Sequence, residues 1–359
     1  MQLTDLHVRK AYRRDTLRLP RIASFIATSN SHELLSDPSG SRRFLCVEVE
    51  RPIDSTNIEH AQIYAQLKAM LLGGEHHGFT AEEEAEIQRA NVAFYRTCPA
   101  EEAFARQLDR TAPDVVIHCA AMTAVDRCEA EPDLAYRLNA LGSANVAAAC
   151  ARRGIRLVAL STDYVFSGAG QRPYHEFDVP DGGINVYGQS KWAGEQAVRT
   201  HCPDHVIARI SWLYGPGGPS FVHTMLRLAR QGHEVLRVVD DQRGNPTSTR
   251  AVAAALRHIL LRPGLVGTFH LTCEGETTWY GFAREIFRLA GMAQRVEPCT
   301  SAEYATPARR PANSCLEKRM LRLLGLPPMP RWQESLADFM RAQARELGLP
   351  AAPVPDAGR

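Results

Sequence analysis

Apolar, β-branched runs alternate with alanine-rich helical patterns through the middle of the chain, from residue 106 to residue 260. Three runs have no polar alternation, which is typical of strands buried on both faces; they lie at 114–119, 155–166 and 205–215. A segment with helical patterning follows each run, at 131–154, 187–201 and 220–232. Strands that alternate with helices in this way predict a parallel, doubly wound sheet with right-handed crossovers.

The carboxyl ends of the predicted strands mark the expected functional site, because ligands of open α/β sheets bind beyond those ends. Three stretches lie there: AAMTAVD (120–126), STDYVFSG (161–168) and SWLYGPGG (211–218). We therefore expect the functional side chains to come from these stretches and from the helix that follows the second one.

That helix begins with a tyrosine and a lysine four residues apart, Tyr187 and Lys191. With ten tyrosines and four lysines in the chain, about 0.1 such pairs are expected by chance, and helix geometry places the pair on one face. An ammonium group about 5 Å from a phenol, at an effective dielectric near 20, contributes roughly 3 kcal/mol, or about two pK units. The pair therefore suits acid–base chemistry; the alternative is a surface tyrosine beside a solvated lysine.

The bulk composition is that of an ordinary soluble protein, with 45% apolar and 23% charged residues among 359. A net charge of +2 gives no reason to expect a nucleic acid or a membrane as partner. The nine cysteines include no Cys-x-x-Cys pair, which argues against a disulfide framework or a zinc site. We expect a cytoplasmic protein without a signal peptide, a membrane span or a bound metal.

Six motifs between residues 118 and 316 agree in order and spacing with one family. They are HCAAMTAVDRCEAEP, STDYVFSG, NVYGQSKWAGE, RISWLYG, DDQRGNPTS and RRPANSCL. Over about residues 106–345 the chain resembles the dTDP-4-dehydrorhamnose reductases, which are extended short-chain dehydrogenase/reductases. The resemblance implies an oxidoreductase of dTDP-rhamnose biosynthesis that uses NADPH or NADH to reduce dTDP-4-dehydro-6-deoxy-L-mannose to dTDP-L-rhamnose.

The resemblance also implies roles for particular residues. Tyr187 is implied as the proton donor, Lys191 as the group that tunes it and contacts the nicotinamide ribose, and Thr162 as the hydroxyl that orients the substrate. Substrate binding is implied for Thr162, Asp163 and Trp212, and cofactor binding for Ala120, Ala121, Met122, Thr123, Tyr187 and Lys191. The alternatives are hydroxyls that merely end a strand, alanines that pack a helix on a sheet, and a core tryptophan.

The family's glycine-rich phosphate-binding turn is missing. A dinucleotide enzyme should carry that turn between its first strand and helix, but before residue 114 the only glycines are Gly40, Gly73, Gly74 and Gly78. The stretch LLGGEHHG follows a predicted helix rather than a strand. The sequence therefore also fits an inactive reductase remnant without a cofactor pyrophosphate site, and it does not decide between NADPH and NADH.

Residues 1–103 differ from the rest of the chain. The segment 19–50 contains two β runs around a polar loop, and helices follow; this resembles a fragment of a virulence-associated protein E type ATPase. The Walker lysine motif is absent, so a nucleotide-binding fragment of a mobile-element ATPase is the third and least supported alternative. We expect 22–28 or 44–49 to cover the open edge of the strand at 114–119.

The predicted organisation is therefore an unrelated N-terminal α+β segment at 1–103, a reductase-like domain at 104–345 and a flexible tail at 346–359. The domain is expected to be an incomplete, Rossmann-like parallel sheet with a smaller C-terminal substrate-binding part. The resemblance further implies a dTDP-sugar as substrate and a homodimer as an assembly that some members form. It associates Mg²⁺ with some members, but no ligands for it can be placed here.

Overall fold

The computed structural model describes residues 5–9, 16–20, 46, 59–73, 80–91 and 99–349. The chain divides into two compact units, Met1–Arg106 and Gln107–Arg359. The six motifs all belong to the second unit. Within the described residues no helix has the length and apolar character needed to cross a bilayer.

The first unit contains a hairpin and helices. Strand β1 (Asp5–Arg9) pairs antiparallel with β2 (Thr16–Pro20), and the helices are α1 (His60–Leu72), α2 (Ala81–Asn91) and the start of α3 (Pro99–Thr111). Helix α2 begins with a reciprocal cap, because the Thr80 amide donates to Glu83 at 2.8 Å and the Glu83 amide donates to Thr80 Oγ1 at 3.3 Å. The β runs expected to cover the sheet edge lie outside the described residues, apart from Cys46.

A four-stranded parallel sheet forms the centre of the second unit, and the predicted α/β fold class is confirmed. Its strand order is β10 (Gly267–His270), β5 (His205–Ile210), β4 (Arg156–Thr162) and β3 (Val115–His118). Six of the seven residues of β4 are buried, as expected for a central strand covered by helices on both faces. The register pairs Val115 with Arg156 and Leu157 with His205, so the carboxyl ends of β3, β4 and β5 lie side by side.

Helices cover this sheet. They are α4 (Val125–Ala130), α5 (Pro132–Tyr136), a π-helical turn (Arg137–Leu141), α6 (Gly142–Ala151), α7 (Val186–His201), α8 (Phe221–Arg230) and α9 (Thr249–Leu260). The single helix expected at 131–154 is thus interrupted, because Pro132 restarts a helix at its first turn and the next turn widens around Asn139. The third predicted strand also ends early, at Ile210, before a short strand β6 (Leu213–Tyr214).

Helix α7 packs unusually close to the π-helical turn. An ideal Cβ on Gly194 would lie 2.3 Å from the Asn139 carbonyl oxygen and 3.2 Å from Ser143 Oγ. Only a residue without a side chain therefore permits this approach. Helix α7 carries the candidate site residues Tyr187 and Lys191.

The C-terminal part adds short strand pairs and helices beside the sheet. Strand β7 (Val235–Val239) pairs with β12 (Arg295–Cys299), β6 with β9 (Thr247–Ser248), and β8 (Arg243–Gly244) with β11 (Thr277–Thr278). The helices are α10 (Trp279–Ala290), α11 (Arg319–Leu323) and α12 (Trp332–Ala342). One apolar core continues from β5 and β10 through α8, α9, α10 and α12, so this smaller part is not an independent layer.

The first residues of the expected tail, 346–349, include side chains that pack on the main core. Leu347 is 2% exposed and belongs to the main apolar core. The Arg230 guanidinium donates to the Leu347 carbonyl. The apolar side chain was overlooked because glycine and proline surround it; residues 350–359 lie outside the described part of the chain.

We predict that Gly194→Ala destabilises the protein by about 1–3 kcal/mol through overpacking against Asn139. The sign of this stability change is informative. Alanine is intrinsically favoured over glycine in a helix by up to about 1 kcal/mol, so without overpacking the variant would be more stable. Denaturant unfolding followed by tryptophan fluorescence measures the change.

Gly218→Ala is the matched control, since a Cβ there meets nothing within 4 Å and its effect should stay within about 0.5 kcal/mol. Equal stability of the two variants would contradict the close packing of α7.

Candidate active site

A cavity of about 1040 Å³ opens where β3, β4 and β5 end. The three stretches that the sequence singled out all contribute to its wall, through Ala121, Thr162 and Trp212 among others. The apolar face of α9 forms another wall, with Val252, Leu256, Leu260 and Leu261. The fold therefore brings separate parts of the chain to one crevice of a size that holds a cofactor or a substrate.

The start of α7 is fixed tightly against the end of β4. The Asn185 side chain accepts a hydrogen bond from the Gly188 amide at 2.8 Å, which caps the helix. A Cβ on Gly188 would lie 2.1 Å from the Tyr164 carbonyl oxygen. The cap and this close approach together hold Tyr187 and Lys191 in the cavity wall.

Lys191 is a buried cation. Its side chain is 7% exposed, and its ammonium group donates to the Leu160 carbonyl oxygen at 2.7 Å. Burial lowers the pKa of Lys191 to about 8, although the negative charge of Glu195 acts in the opposite direction. Lys191 is therefore charged at neutral pH and loses its proton in mildly alkaline solution.

Tyr187 is a neutral phenol in this cavity. Burial raises the pKa of Tyr187 above its usual value, and the charge of Asp163 adds to the rise, whereas a hydrogen bond with Thr162 opposes it. This direction is opposite to the lowering expected from Lys191, because the cost of placing a phenolate in a dry pocket outweighs the other contributions. The phenol consequently carries a proton at neutral pH.

Thr162 ends β4, Asp163 begins the 3₁₀ turn that follows, and both line the cavity. The Thr162 hydroxyl donates to Asp163 Oδ1 at 2.9 Å and accepts from the Tyr164 amide at 3.2 Å. Asp163 is 3% exposed, and its Oδ2 atom has no hydrogen-bond partner among the described residues. Burial raises the pKa of Asp163 to about 7, against the effect of the neighbouring Ser314 and Thr162 hydroxyls.

Ser161, the neighbour of Thr162, directs its hydroxyl elsewhere. Its Oγ atom donates to Glu195 at 2.5 Å. Both residues line the cavity, but successive side chains of a strand point to opposite faces, and the two hydroxyls donate to different partners, Glu195 and Asp163. The structure thus distinguishes two residues that the sequence left as neighbours in one motif.

Trp212 has features of both interpretations that the sequence allowed, a substrate-binding residue and a core tryptophan. It packs against the main core and also lines the cavity. Its ring lies parallel to that of Trp279, with centroids 3.6 Å apart and planes 5° apart. Its backbone has φ +46°, a left-handed conformation that bulky residues rarely adopt. This conformation ends β5 and turns the indole toward the crevice, and such strain is concentrated at functional sites.

The AAMT stretch lines the cavity only in part. Ala121 and Thr123 belong to the cavity wall, whereas Ala120 is exposed. The Met122 side chain is 7% exposed and packs in a small core with Cys128 and Ala135. Of the four candidates, two therefore face the crevice directly.

Asn139 holds this stretch in place, and the sequence analysis missed it. Its amide accepts from the Met122 amide at 2.8 Å and donates to the Met122 carbonyl at 3.1 Å and to Ser190 Oγ at 2.9 Å. The loop after β3 is thereby tied to α7. The available signal was an asparagine within an alanine-rich helical pattern, where a buried amide needs several partners.

The RRPANSCL motif returns to the same site from far along the chain. The Arg310 guanidinium donates twice to the Asp126 carboxylate, at 2.7 and 2.9 Å, and the Asn185 side chain donates to the Arg309 carbonyl at 2.8 Å. These contacts tie residues 309–310 to α4 and to the start of α7. Among the described residues no group of three or more His, Cys, Asp or Glu side chains could hold a metal ion.

Comparison with known proteins gives the same assignment for both halves of the chain. A model of the RmlD substrate binding domain matches residues 71–345, and one of the virulence-associated protein E-like domain matches residues 1–96. The dTDP-4-dehydrorhamnose reductase of Streptomyces griseus is 45% identical over 244 residues, which are 66% of this chain and 80% of that protein. The Salmonella typhimurium enzyme of the same name is 40% identical over 231 residues, 62% and 77% of the two chains.

Solved structures agree. The dTDP-4-dehydrorhamnose reductase of Bacillus anthracis, in complex with NADP, is 42% identical with a TM-score of 0.65, over 67% of this chain and 84% of that one. The Clostridium acetobutylicum enzyme is 43% identical with a TM-score of 0.65, over 68% and 85%. Both resemblances predicted from the sequence are confirmed, and the chain belongs to the dTDP-4-dehydrorhamnose reductase family defined by the RmlD substrate binding domain.

Proposed function

We propose that the protein reduces dTDP-4-dehydro-6-deoxy-L-mannose to dTDP-L-rhamnose with NADPH or NADH. The observation that supports this most directly is the convergence of Tyr187, Lys191 and Thr162 on one cavity at the carboxyl ends of the strands. A ketone reduction needs a proton donor beside a site for the hydride donor. This chain covers about four fifths of the length of relatives that are named for this reaction.

Tyr187 is assigned as the proton donor. Its raised pKa keeps the phenol protonated at neutral pH, which is the form that donates. The Lys191 ammonium lines the same cavity wall, and a cation near the phenolate that remains after transfer would stabilise it, by roughly 3 kcal/mol if the separation is about 5 Å and the effective dielectric is near 20. Thr162 is assigned to orient the ketone oxygen: its hydroxyl hydrogen, which Asp163 accepts in this structure, would turn to the substrate, because a ketone oxygen only accepts.

The nicotinamide end of a dinucleotide fits the residues present. Lys191 offers a charged donor to a ribose hydroxyl, and the small side chains of Ala121 and Thr123 leave room for a flat ring in the cavity wall. Ala120 and Met122 contribute through the backbone of the same loop. When bound, the cofactor supplies the hydride; the chain supplies orientation, the proton and exclusion of water.

The sugar nucleotide is assigned to the opposite wall. Asp163 has a carboxyl oxygen with no partner among the described residues, and it lines the cavity, so it can accept from a sugar hydroxyl. The Trp212 and Trp279 rings present stacked aromatic surface at the same crevice. Aromatic faces suit thymine or the apolar face of a sugar ring.

A second candidate, a reductase remnant without turnover, is favoured by one specific observation. No glycine-rich turn precedes β3 in the sequence, and Gly73 directly follows helix α1 rather than a strand. The pyrophosphate of a dinucleotide normally rests on such a turn. The ATPase-fragment alternative is supported by the match of residues 1–96 to the virulence-associated protein E-like domain, but the sequence lacks the Walker lysine motif.

The setting of the enzyme is proposed from its thiols and its family. All described cysteines are free thiols, which suits a reducing cytoplasm. A homodimer is proposed on the family resemblance alone.

Titration with NADPH should produce saturable binding, detected as enhanced nicotinamide fluorescence. Lys191→Met should weaken that binding about tenfold or more, because it removes a charge-assisted hydrogen bond worth roughly 1.5–3 kcal/mol. The matched control is Lys68→Met on the exposed face of α1, which should bind as the native chain does. An absence of binding at millimolar cofactor would favour the remnant.

Tyr187→Phe should lower turnover by about 10²-fold or more, since general acid catalysis contributes about that much. Cofactor affinity and thermal stability should change little, because the ring remains. Tyr136→Phe, at a 40% exposed tyrosine of α5, is the control. Native turnover in the Tyr187 variant would refute the proton-donor assignment.

Turnover should fall as pH rises through about 8, where Lys191 loses its proton. The direction follows from the lowered pKa: the cation is present below that value and lost above it. A profile of kcat against pH in the native chain measures this. A rate that stays flat through two pH units above that value would exclude a required Lys191 ammonium.

A further inference from the structure

Behind Lys191 lies a buried network of charges that the catalytic assignment does not use. Glu195, one turn further along α7, is 3% exposed, and Arg209 on β5 is 1% exposed. The Arg209 guanidinium donates to both carboxylate oxygens of Glu195, from Nε at 2.9 Å and from Nη2 at 2.8 Å. A two-pronged pair of this kind fixes the relative position of its two partners.

Every polar position around this pair is filled. Glu195 also accepts from Ser161 Oγ at 2.5 Å and from Arg199 at 2.9 Å. The remaining prong of Arg209 lies 3.3 Å from His270 Nε2, and His270 Nδ1 lies 3.0 Å from the Glu317 carbonyl. Because a carbonyl only accepts, Nδ1 carries the proton and Nε2 accepts from Arg209.

The charges of the network follow from the same surroundings. Burial alone would raise the pKa of Glu195, but the Arg209 charge and hydrogen bonds outweigh it and lower the pKa. Burial and the Arg209 charge hold the pKa of His270 well below its usual value. At neutral pH the network thus contains one carboxylate, two guanidinium groups and a neutral imidazole.

The network touches the cavity through two strand-end residues. Ser161 immediately precedes Thr162, and Lys191 donates to the carbonyl of Leu160, the residue before Ser161. Lys191, Ser161 and Glu195 also line one small cavity of about 10 Å³. Glu195 and Lys191 therefore bind the same end of β4: the Glu195 carboxylate accepts from Ser161, and the Lys191 ammonium donates to the Leu160 carbonyl.

We propose that Glu195 is a positioning residue: its ion pair with Arg209 and its bond from Ser161 lock the end of β4 to α7 and hold Lys191 as a charged group in the active cavity. The expected effect on turnover rests on the proposed reductase function. The expected effect on the charge of Lys191 does not. Buried ion pairs are poor sources of stability, since desolvation offsets their attraction. A positioning role explains why one is retained here.

Among the described groups that act on the charge of Lys191, Glu195 is the one carboxylate. The titratable groups facing it are Glu195 on its own helix, His118 and Cys119 at the end of β3, and Tyr187 at the preceding turn. Burial and the Lys191 charge both lower the pKa of His118, so that imidazole is neutral and adds no competing cation at neutral pH.

The proposal is tested by following the Lys191 proton directly. The chain has four lysines, so ¹³C labelling of lysine ε-carbons gives a simple NMR spectrum in which Lys191→Arg identifies the Lys191 signal. In Glu195→Gln its pKa should fall by about one unit or more, because a nearby negative charge is removed. The alkaline limb of the kcat profile should shift down by the same amount, which lowers kcat about twofold at pH 7 and nearly tenfold at about pH 9, with the KM for substrate changed less than about threefold.

Two further variants and a control complete the test. If Glu195→Gln does not fold, the double variant with Arg209→Met removes both members of the ion pair, so that Arg209 is not left as a buried charge without its partner; it should still lower the pKa of Lys191, on which Glu195 acts. Glu195→Asp, which keeps the charge, should restore the pKa in part. Leu336→Ala, in the core at 0% exposure, is the control that lowers stability without moving the titration.

The outcomes separate the two claims. An unchanged Lys191 titration in a folded Glu195→Gln variant, with only lower thermal stability, would overturn the positioning role and leave the reductase proposal intact. A shifted titration in a chain without turnover would support the positioning role while the reductase proposal fails.

Discussion

The site depends on keeping one ammonium group charged in a nearly dry crevice. Burial pushes the pKa of Lys191 down to about 8, and a fully unassisted burial would neutralise it, since desolvation can shift buried lysines by several units. What opposes this is a carbonyl acceptor on β4 and a carboxylate one turn along α7. The charge of Lys191 thus depends on the balance between the cost of burial and these two acceptors.

This balance explains why the packing around α7 is so close. Gly188 and Gly194 allow the helix to approach the Tyr164 and Asn139 carbonyls to distances at which any Cβ would collide. Asn139 in turn ties the loop after β3 to Ser190. Loosening these contacts would admit water and raise the dielectric, which weakens the very interactions that tune Tyr187 and Lys191.

The sequence predicts which site residues lie close together along the chain, but not which distant residues they contact. Strand ends, helix starts and the Tyr187–Lys191 pair follow from apolar periodicity and from spacing within one helix, so they could be predicted. The pairing of Glu195 with Arg209 or of Asp126 with Arg310 joins distant residues, and no periodicity encodes such contacts. The direction of the Tyr187 pKa was missed for a similar reason: the charge of Lys191 is visible in the sequence, whereas the degree of burial is a property of the folded cavity.

The separation of the catalytic residues from the missing phosphate turn has a consequence for how activity should fail. Contacts to a pyrophosphate lie far from the reacting carbon, and each charge-assisted hydrogen bond there is worth roughly 1.5–3 kcal/mol. Losing two of them would raise a cofactor dissociation constant by about 10²–10⁴, while Tyr187, Lys191 and Thr162 stay as they are. Part of that remote binding energy normally serves to orient the cofactor, so turnover at saturation would also fall, though less steeply than affinity. An intact Tyr187, the proposed proton donor, is therefore compatible both with a weak enzyme and with a silent one, and cofactor occupancy, rather than the proposed catalytic residues, decides between them.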